Sequence, residues 1–115
     1  MFTLDHERKM GKRELRITVA DAVNELMDAD KSVLFLESDL AGASGSGKIQ
    51  KAHPEQYIQV GIAEANMMGM AAGLSAVGFK PYTHTFGPFA TRRVFDQVFL
   101  SGAYAHNTIN IFGSD

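Results

Sequence analysis

Hydrophobic and polar positions along this chain switch between a helical period and short apolar runs. Leu15, Val19, Ala22, Val23 and Leu26 recur every three or four residues, with Arg13, Glu14, Asp21 and Glu25 on the other sides. That spacing predicts an amphipathic helix over 14–28. The run 32–37, Ser-Val-Leu-Phe-Leu-Glu, is short and apolar, the mark of a strand buried on both faces. A Gly/Ser-rich flexible loop over 41–47 follows, then a short strand over 56–59. Residues 63–77 predict an apolar helix ended by Gly78, 82–86 a third strand, 89–104 a further helix and 108–112 a fourth strand. Helices and strands alternate throughout, so the fold class is α/β, a mainly parallel sheet with helices on both faces. Ligands of open α/β sheets sit beyond the strand C-termini. Only Gly113, Ser114 and Asp115 follow the fourth predicted strand, so the sequence is expected to stop inside a site.

Composition narrows the function classes. The stretch 62–79 is long enough to raise a membrane span, its strongly polar members being Glu64, Asn66 and Ser75. It is built from Ala, Gly and Met, and a lipid-facing carboxylate would cost several kcal/mol, which favours a helix buried in protein. Residues 1–4 run directly into Asp5-His6-Glu7-Arg8-Lys9, so no secretory core develops and a cytoplasmic location is expected. A net charge of -2 supplies no polybasic surface for nucleic acid or an anionic membrane. Small molecules and other proteins remain as partners. With no cysteine, disulfides and thiol nucleophiles are excluded. No histidine pair has metal-ligand spacing, and no metal is assigned to the chain. His6 and His106 are expected to be exposed, His53 precedes a proline, and His84 alone lies near the end of a predicted strand.

Glu64 is the most unusual residue in chemical terms. It stands in the first turn of a helix that is apolar nearly all round, so its carboxyl group is expected to be withdrawn from water. Burial and the helix N-terminus then act in opposite directions on its proton affinity. It is either a proton-sharing functional group or a first-turn glutamate that caps backbone donors or pairs with Arg92 or Arg93. On the same helix Ala65, Gly69, Gly73 and Ala76 form a face with almost no side-chain bulk, packed either on the domain's own sheet or against a partner chain. Gly42-Ala43-Ser44-Gly45-Ser46-Gly47-Lys48-Ile49 matches a phosphate-cradling loop until Ile49, where the magnesium-binding Ser or Thr should stand. A nucleotide hydrolase is therefore not expected. In Thr85-Phe86-Gly87-Pro88-Phe89, Phe86 ends a strand and Phe89 opens a helix, so both rings can line a cavity that stacks a heteroaromatic ligand, or else pack in the core.

These residues carry a resemblance. The run 16–112 resembles the pyrimidine-binding domain of transketolase, in particular the separate C-terminal subunit of split transketolases. The matching segments are Leu36-Glu37-Ser38-Asp39-Leu40, Val60-Gly61-Ile62-Ala63-Glu64-Ala65-Asn66-Met67, Thr85-Phe86-Gly87-Pro88-Phe89-Ala90-Thr91-Arg92-Arg93 and Phe95-Asp96-Gln97. The Gly-Ile-Ala-Glu element is shared with other thiamine diphosphate enzymes, including deoxyxylulose phosphate synthase and the beta subunit of 2-oxoacid dehydrogenases. The resemblance implies that Glu64 is the catalytic glutamate, hydrogen-bonding a ring nitrogen of the cofactor's aminopyrimidine. It implies that Phe86 and Phe89 belong to the pyrimidine pocket, that Asp39 and Ile62 lie beside the cofactor, and that Arg16 holds the substrate phosphate.

The sequence also departs from the family pattern. It holds no Gly-Asp-Gly run followed by an asparagine, the signature that binds magnesium and the diphosphate, so that half of the thiamine diphosphate site is expected from an N-terminal transketolase subunit. Ser114 stands about where single-chain transketolases place an active-site histidine. Family members continue further, so the domain is expected to be incomplete at its C-terminus, with 1–12 an extension and 13–115 the N-terminal part of the pyrimidine-binding domain. The implied activity is transfer of a two-carbon ketol unit between sugar phosphates by the complete assembly, the chain being inactive alone. Self-association through helix 63–77 is also expected. The alternatives are another thiamine diphosphate enzyme subunit or a noncatalytic assembly module.

Overall fold

A computed structural model describes residues 11–115. The extension read over 1–12 lies outside the described residues except for its last two positions, as does His6. Four strands, β1 (Val33–Glu37), β2 (Tyr57–Gln59), β3 (Lys80–Phe86) and β4 (Asn110–Ser114), form one sheet in the order β2-β1-β3-β4, and every pair is parallel. Helix α1 (Leu15–Ala29) precedes β1; the short α2 (Ala41–Ser44) and α3 (Gly47–Ala52) connect β1 to β2. Helix α4 (Glu64–Ala76) crosses from β2 to β3. From β1 the chain moves to one side of the sheet, and from β3 to the other. The crevice beyond the C-terminal ends of β1 and β3 is therefore the topological switch point where such sheets bind ligands.

Residues of β1 alternate between two cores. Val33 and Phe35 pack with Ala20, Val23 and Met27 of α1, with Ile49 of α3 and with Tyr57. Leu34 and Leu36 pack with Met67, Met68 and Ala71 of α4 and with Val94. All five residues of β1 are buried, which is why the strand reads as an apolar run without alternation.

Several sequence expectations are corrected. In α1 the buried stripe is Ala20, Val23 and Met27, flanked by Val19, whereas Leu15 and Leu26 are exposed. The apolar face is thus rotated around the helix from the predicted one, because Met27 and Ala20 meet the sheet. The 41–47 patch is not a flexible loop but two short helices joined at Gly45. Gly45 takes a φ of 72° that a side chain would strain, and a Cβ there would stand 2.7 Å from Ile17. Ile49, which breaks the phosphate-loop pattern, is a wholly buried core residue, and Lys48 pairs with Asp21. The helix expected over 89–104 is broken into α5 (Gly87–Ala90), α6 (Phe95–Gln97) and a π-helix (Val98–Tyr104). The break at Thr91 turns Val94 into the α4 core and leaves Arg93 beside Glu64. β4 begins two residues later than predicted and includes Gly113 and Ser114, because β3 runs on to Phe86 and pairs with it. Gly113 packs so closely on α5 that a Cβ would stand 2.8 Å from Gly87 Cα.

The small-residue face of α4 is not packed on the domain's own sheet. Ala65, Gly69, Gly73 and Ala76 are exposed, while Met67, Met68, Ala71 and Ala72 face the core. Among the described residues, no helix is long and apolar enough to cross a membrane.

Candidate functional site

Two groups of side chains occupy the C-terminal edge of the sheet. The first gathers around Glu64, the opening residue of α4, which is 5% exposed. Among the described residues its carboxyl group accepts from Arg93 Nη1, at 2.9 Å on Oε1, and from no backbone N–H. Of the two alternatives for a bland first-turn glutamate, pairing is thus realised and capping is not. The Arg93 guanidinium also lies over the Phe89 ring, with Cζ 3.5 Å from the centroid. Phe89 in turn meets Phe86, their centroids 6.1 Å apart and their planes tilted by 54°. A chain of contacts therefore joins Glu64, Arg93, Phe89 and Phe86, three of which were singled out from sequence as functional. Arg93 keeps about half of its side chain in solvent, at 46%, so its hold on Glu64 is open to displacement.

The groups present fit an aminopyrimidine ring. They combine a carboxyl group withdrawn from water with two half-buried aromatic rings joined to it through Arg93. Thr85 adds a buried Oγ1 with no hydrogen-bond partner among the described residues, a spare polar atom one position before Phe86.

Asp39 and Ile62 are less closely tied to this group. Ile62 precedes Glu64 by two residues and is 79% exposed. Asp39 is exposed and adopts a left-handed φ of 55°, a conformation that Asp tolerates better than most residues. The turn is strapped by Gln59, whose Oε1 accepts from Asp39 N–H at 2.9 Å and Gly61 N–H at 3.0 Å, while Ser38 Oγ donates to Gly61 O at 2.8 Å. The loops after β1 and β2 are thereby locked together just before Glu64.

The second group lies toward α1. A cavity of about 570 Å³ opens there, lined in part by Glu14, Arg16, Ser44, His84, Ser114 and Asp115. Neither Glu64 nor the two phenylalanines line it, so the structure does not bring Arg16 together with the Glu64 group. Arg16 is exposed, pairs through Nε with Glu14, and donates from Nη1 to Ala43 O at 2.8 Å.

Beneath this cavity is a polar network that sequence reasoning missed, apart from the placement of His84. Glu37, the last residue of β1, is 0% exposed. His84 Nδ1 lies 3.0 Å from Glu37 Oε1, and Ser46 and Ser44 Oγ lie 2.9 and 3.0 Å from Oε2. His84 Nε2 lies 3.0 Å from Ser114 Oγ. Burial pushes the neighbouring Tyr57 phenol up; its Ser46 contact opposes this and the Glu37 charge adds to it. The available signal was a glutamate ending a wholly apolar strand: such a group needs buried donors, and the serines seven and nine residues later supply them. Among the described residues, no group of three or more His, Cys, Asp or Glu is placed to hold a metal ion.

Comparison with known proteins joins this geometry to a family. The chain is 45% identical over 109 residues to the 6-deoxy-6-sulfo-D-fructose transketolase subunit SqwH of Clostridium sp. (strain MSTE9), covering 95% of this chain and 34% of that protein. It is 30% identical to a putative transketolase C-terminal section of Methanocaldococcus jannaschii, covering 84% of this chain and 31% of the relative. It is 36% identical to the 1-deoxy-D-xylulose-5-phosphate synthase of Cyanothece sp. (strain PCC 7425 / ATCC 29141), over 68% of this chain and 12% of the enzyme. A solved structure described as a split gene transketolase, inactive beta4 tetramer, superposes with a TM-score of 0.74 at 36% identity, covering 82% of this chain and 31% of its own. The chain thus spans about a third of the length of its transketolase relatives. The profile of the family "Transketolase, pyrimidine binding domain" matches residues 12–114, and the chain belongs to that family.

Proposed function

We propose that residues 13–115 form pyrimidine-binding structure of a transketolase subunit, completed by a diphosphate-binding partner subunit and moving a two-carbon ketol unit between sugar phosphates. The observation that carries this reading is the buried Glu64 at the start of α4, linked through Arg93 to the Phe89 and Phe86 rings. Thiamine diphosphate, when bound, supplies the carbanion-stabilising chemistry of ketol transfer. This chain's part is to hold and orient its ring. Glu64 shares a proton with a ring nitrogen, and its dry setting strengthens that hydrogen bond. Arg93 yields or shares Oε1 as the ring arrives, and the half-solvated guanidinium rehydrates when it does so. Phe86 and Phe89 exclude water and offer apolar faces. Asp39 and Ile62 flank the entry at the strapped turn. Magnesium and the diphosphate would be held mainly by the partner, the reading supported by the missing Gly-Asp-Gly signature in this sequence.

Arg16 would hold the anionic end of the sugar in the α1-side cavity, exchanging Glu14 and Ala43 O for the ligand. The SqwH relative is named for a sulfonated sugar, so sulfonate and phosphate are both candidates for that anion. Self-association through helix 63–77 is supported by its exposed small-residue face.

The test is reconstitution of the full-length protein with its diphosphate-binding partner. Thiamine diphosphate binding and ketol transfer from a sugar phosphate or sulfosugar are expected. Cofactor binding with turnover of a 2-oxoacid instead would assign the chain to the deoxyxylulose phosphate synthase or 2-oxoacid dehydrogenase type. Assembly without cofactor binding would leave only a noncatalytic module.

A further inference from the structure

Three side chains from three adjacent strands stand in a row on the α1 side of the sheet. Glu37 of β1 pairs in register with His84 of β3, and Ser114 of β4 lies beside Phe86, two residues beyond. The contacts run Glu37 Oε1 to His84 Nδ1 and His84 Nε2 to Ser114 Oγ, each at 3.0 Å. Glu37 and His84 are 0% and 5% exposed, and the Ser44 and Ser46 hydroxyls meet the other Glu37 oxygen. A carboxylate offers only acceptor sites, so His84 must present Nδ1–H to it. With the ring in its neutral form, Nε2 is then an acceptor, and the Ser114 hydroxyl proton is drawn onto it. Ser114 Oγ then turns only lone pairs to the cavity, which His84 and Ser114 both line.

Leu15, Val19, Phe35 and Phe112 supply an apolar wall, and the other polar groups are few. Glu14 and Asp115 contribute further acceptors, and Arg16 supplies a cation. Such a lining suits a ligand that donates several hydroxyl hydrogen bonds and carries one anionic group. We propose that Glu37, His84 and Ser114 form a positioning relay that fixes Ser114 Oγ as the acceptor for a sugar hydroxyl, so that the cavity selects polyhydroxylated anions over bare ones. The ligand class rests on the proposed sugar chemistry; the relay's proton arrangement belongs to the chain itself.

The experiment uses the full-length protein assembled with its partner. Nitrogen-15 NMR of the His84 ring should show the Nδ1–H tautomer, and binding of ribose 5-phosphate and of inorganic phosphate should be measured side by side. Ser114→Ala should weaken ribose 5-phosphate binding by about tenfold and leave inorganic phosphate unchanged, with Ser114→Thr restoring the difference. Glu37→Gln presents an amide N–H to Nδ1 and should move the proton to Nε2. Ser114 then accepts from the ring and turns its own proton to the cavity, giving the same selective loss. Should Glu37→Gln fail to fold, the Ser114 pair decides the matter alone. A ring protonated at Nε2 in the unaltered protein, whether as the neutral tautomer or as imidazolium, or a Ser114→Ala variant in which the two anions change equally or not at all, overturns the proposal. Ketol transfer that survives such a result shows that the relay fails alone; intact discrimination without cofactor binding shows that the transketolase reading fails instead.

Discussion

Two glutamates, Glu37 and Glu64, are buried at the same edge of this sheet and are held in different ways. Glu37 is enclosed by an imidazole and two hydroxyls that are themselves buried, so its partners cannot be exchanged for water. Glu64 is nearly as buried but meets an arginine that is half in solvent and already resting on an aromatic ring. Burial alone therefore does not separate the two carboxylates. The partner's freedom to leave does: Glu64 can exchange Arg93 for a ligand at modest cost, whereas Glu37 acts only through what is bonded to it.

The largest expected effect is on catalysis at Glu64. In the assembled enzyme, Glu64→Gln should lower kcat by about a thousandfold, the scale of a lost proton-sharing group, with circular dichroism unchanged; a near-normal kcat would remove Glu64 from the chemistry. The contrast between the two carboxylates is sharpened by stability. Glu37→Ala leaves His84, Ser44 and Ser46 without a shared acceptor and should cost about 3 kcal/mol in urea denaturation. Glu64→Ala lets Arg93 rehydrate and should cost only about 1 kcal/mol. Equal losses would break the distinction drawn between them. Phe86→Ala should weaken thiamine diphosphate binding by about 2 kcal/mol through lost burial and stacking, measured by calorimetry on the same assembly.

The same contrast explains what was legible in the sequence. Glu64 stood out because a charged residue stands in the first turn of an apolar helix, a local signal, and Phe86 and Phe89 because one ends a predicted strand and the other opens a predicted helix. The four strands and the two long helices were legible because each carries apolar residues at strand or helix spacing, although only β1 is buried along its whole length. Glu37 was hidden because the serines that satisfy it sit in a Gly/Ser patch that reads as a loop. Only the folding of that patch into α2 and α3 carries their hydroxyls back to β1. The break in the 89–104 helix was equally hidden. Its residues suit a continuous helix, and the interruption arises from tertiary demands: Val94 in the core and Arg93 against Glu64.

A third carboxylate supplies the partly exposed counterpart to the buried pair. Asp30, just after α1, accepts from Lys80 Nζ at 2.7 Å and from the Ser32 hydroxyl and backbone N–H at 2.7 and 2.8 Å. The Lys80 hydrogen bond, followed by the two from Ser32, holds the Asp30 carboxyl well below the usual carboxylate range, and the same bond raises Lys80. A carboxyl depressed in the folded state contributes stability that is present above its unfolded value, about pH 4, and lost as pH falls toward the folded one. Lys80 contributes in the opposite window: its share is present below the ordinary lysine value and is lost as pH rises through the raised one. Asp30→Asn should therefore flatten the acid limb of a stability–pH curve below about pH 4 and leave the neutral region little changed, because the pair is solvent-screened. Salt should shrink the same difference. The Glu37→Ala loss should persist at high salt, since its partners are buried and screened little by ions. An Asp30→Asn effect as large and as salt-resistant as that of Glu37→Ala would show that enclosure is not what sets these carboxylates apart.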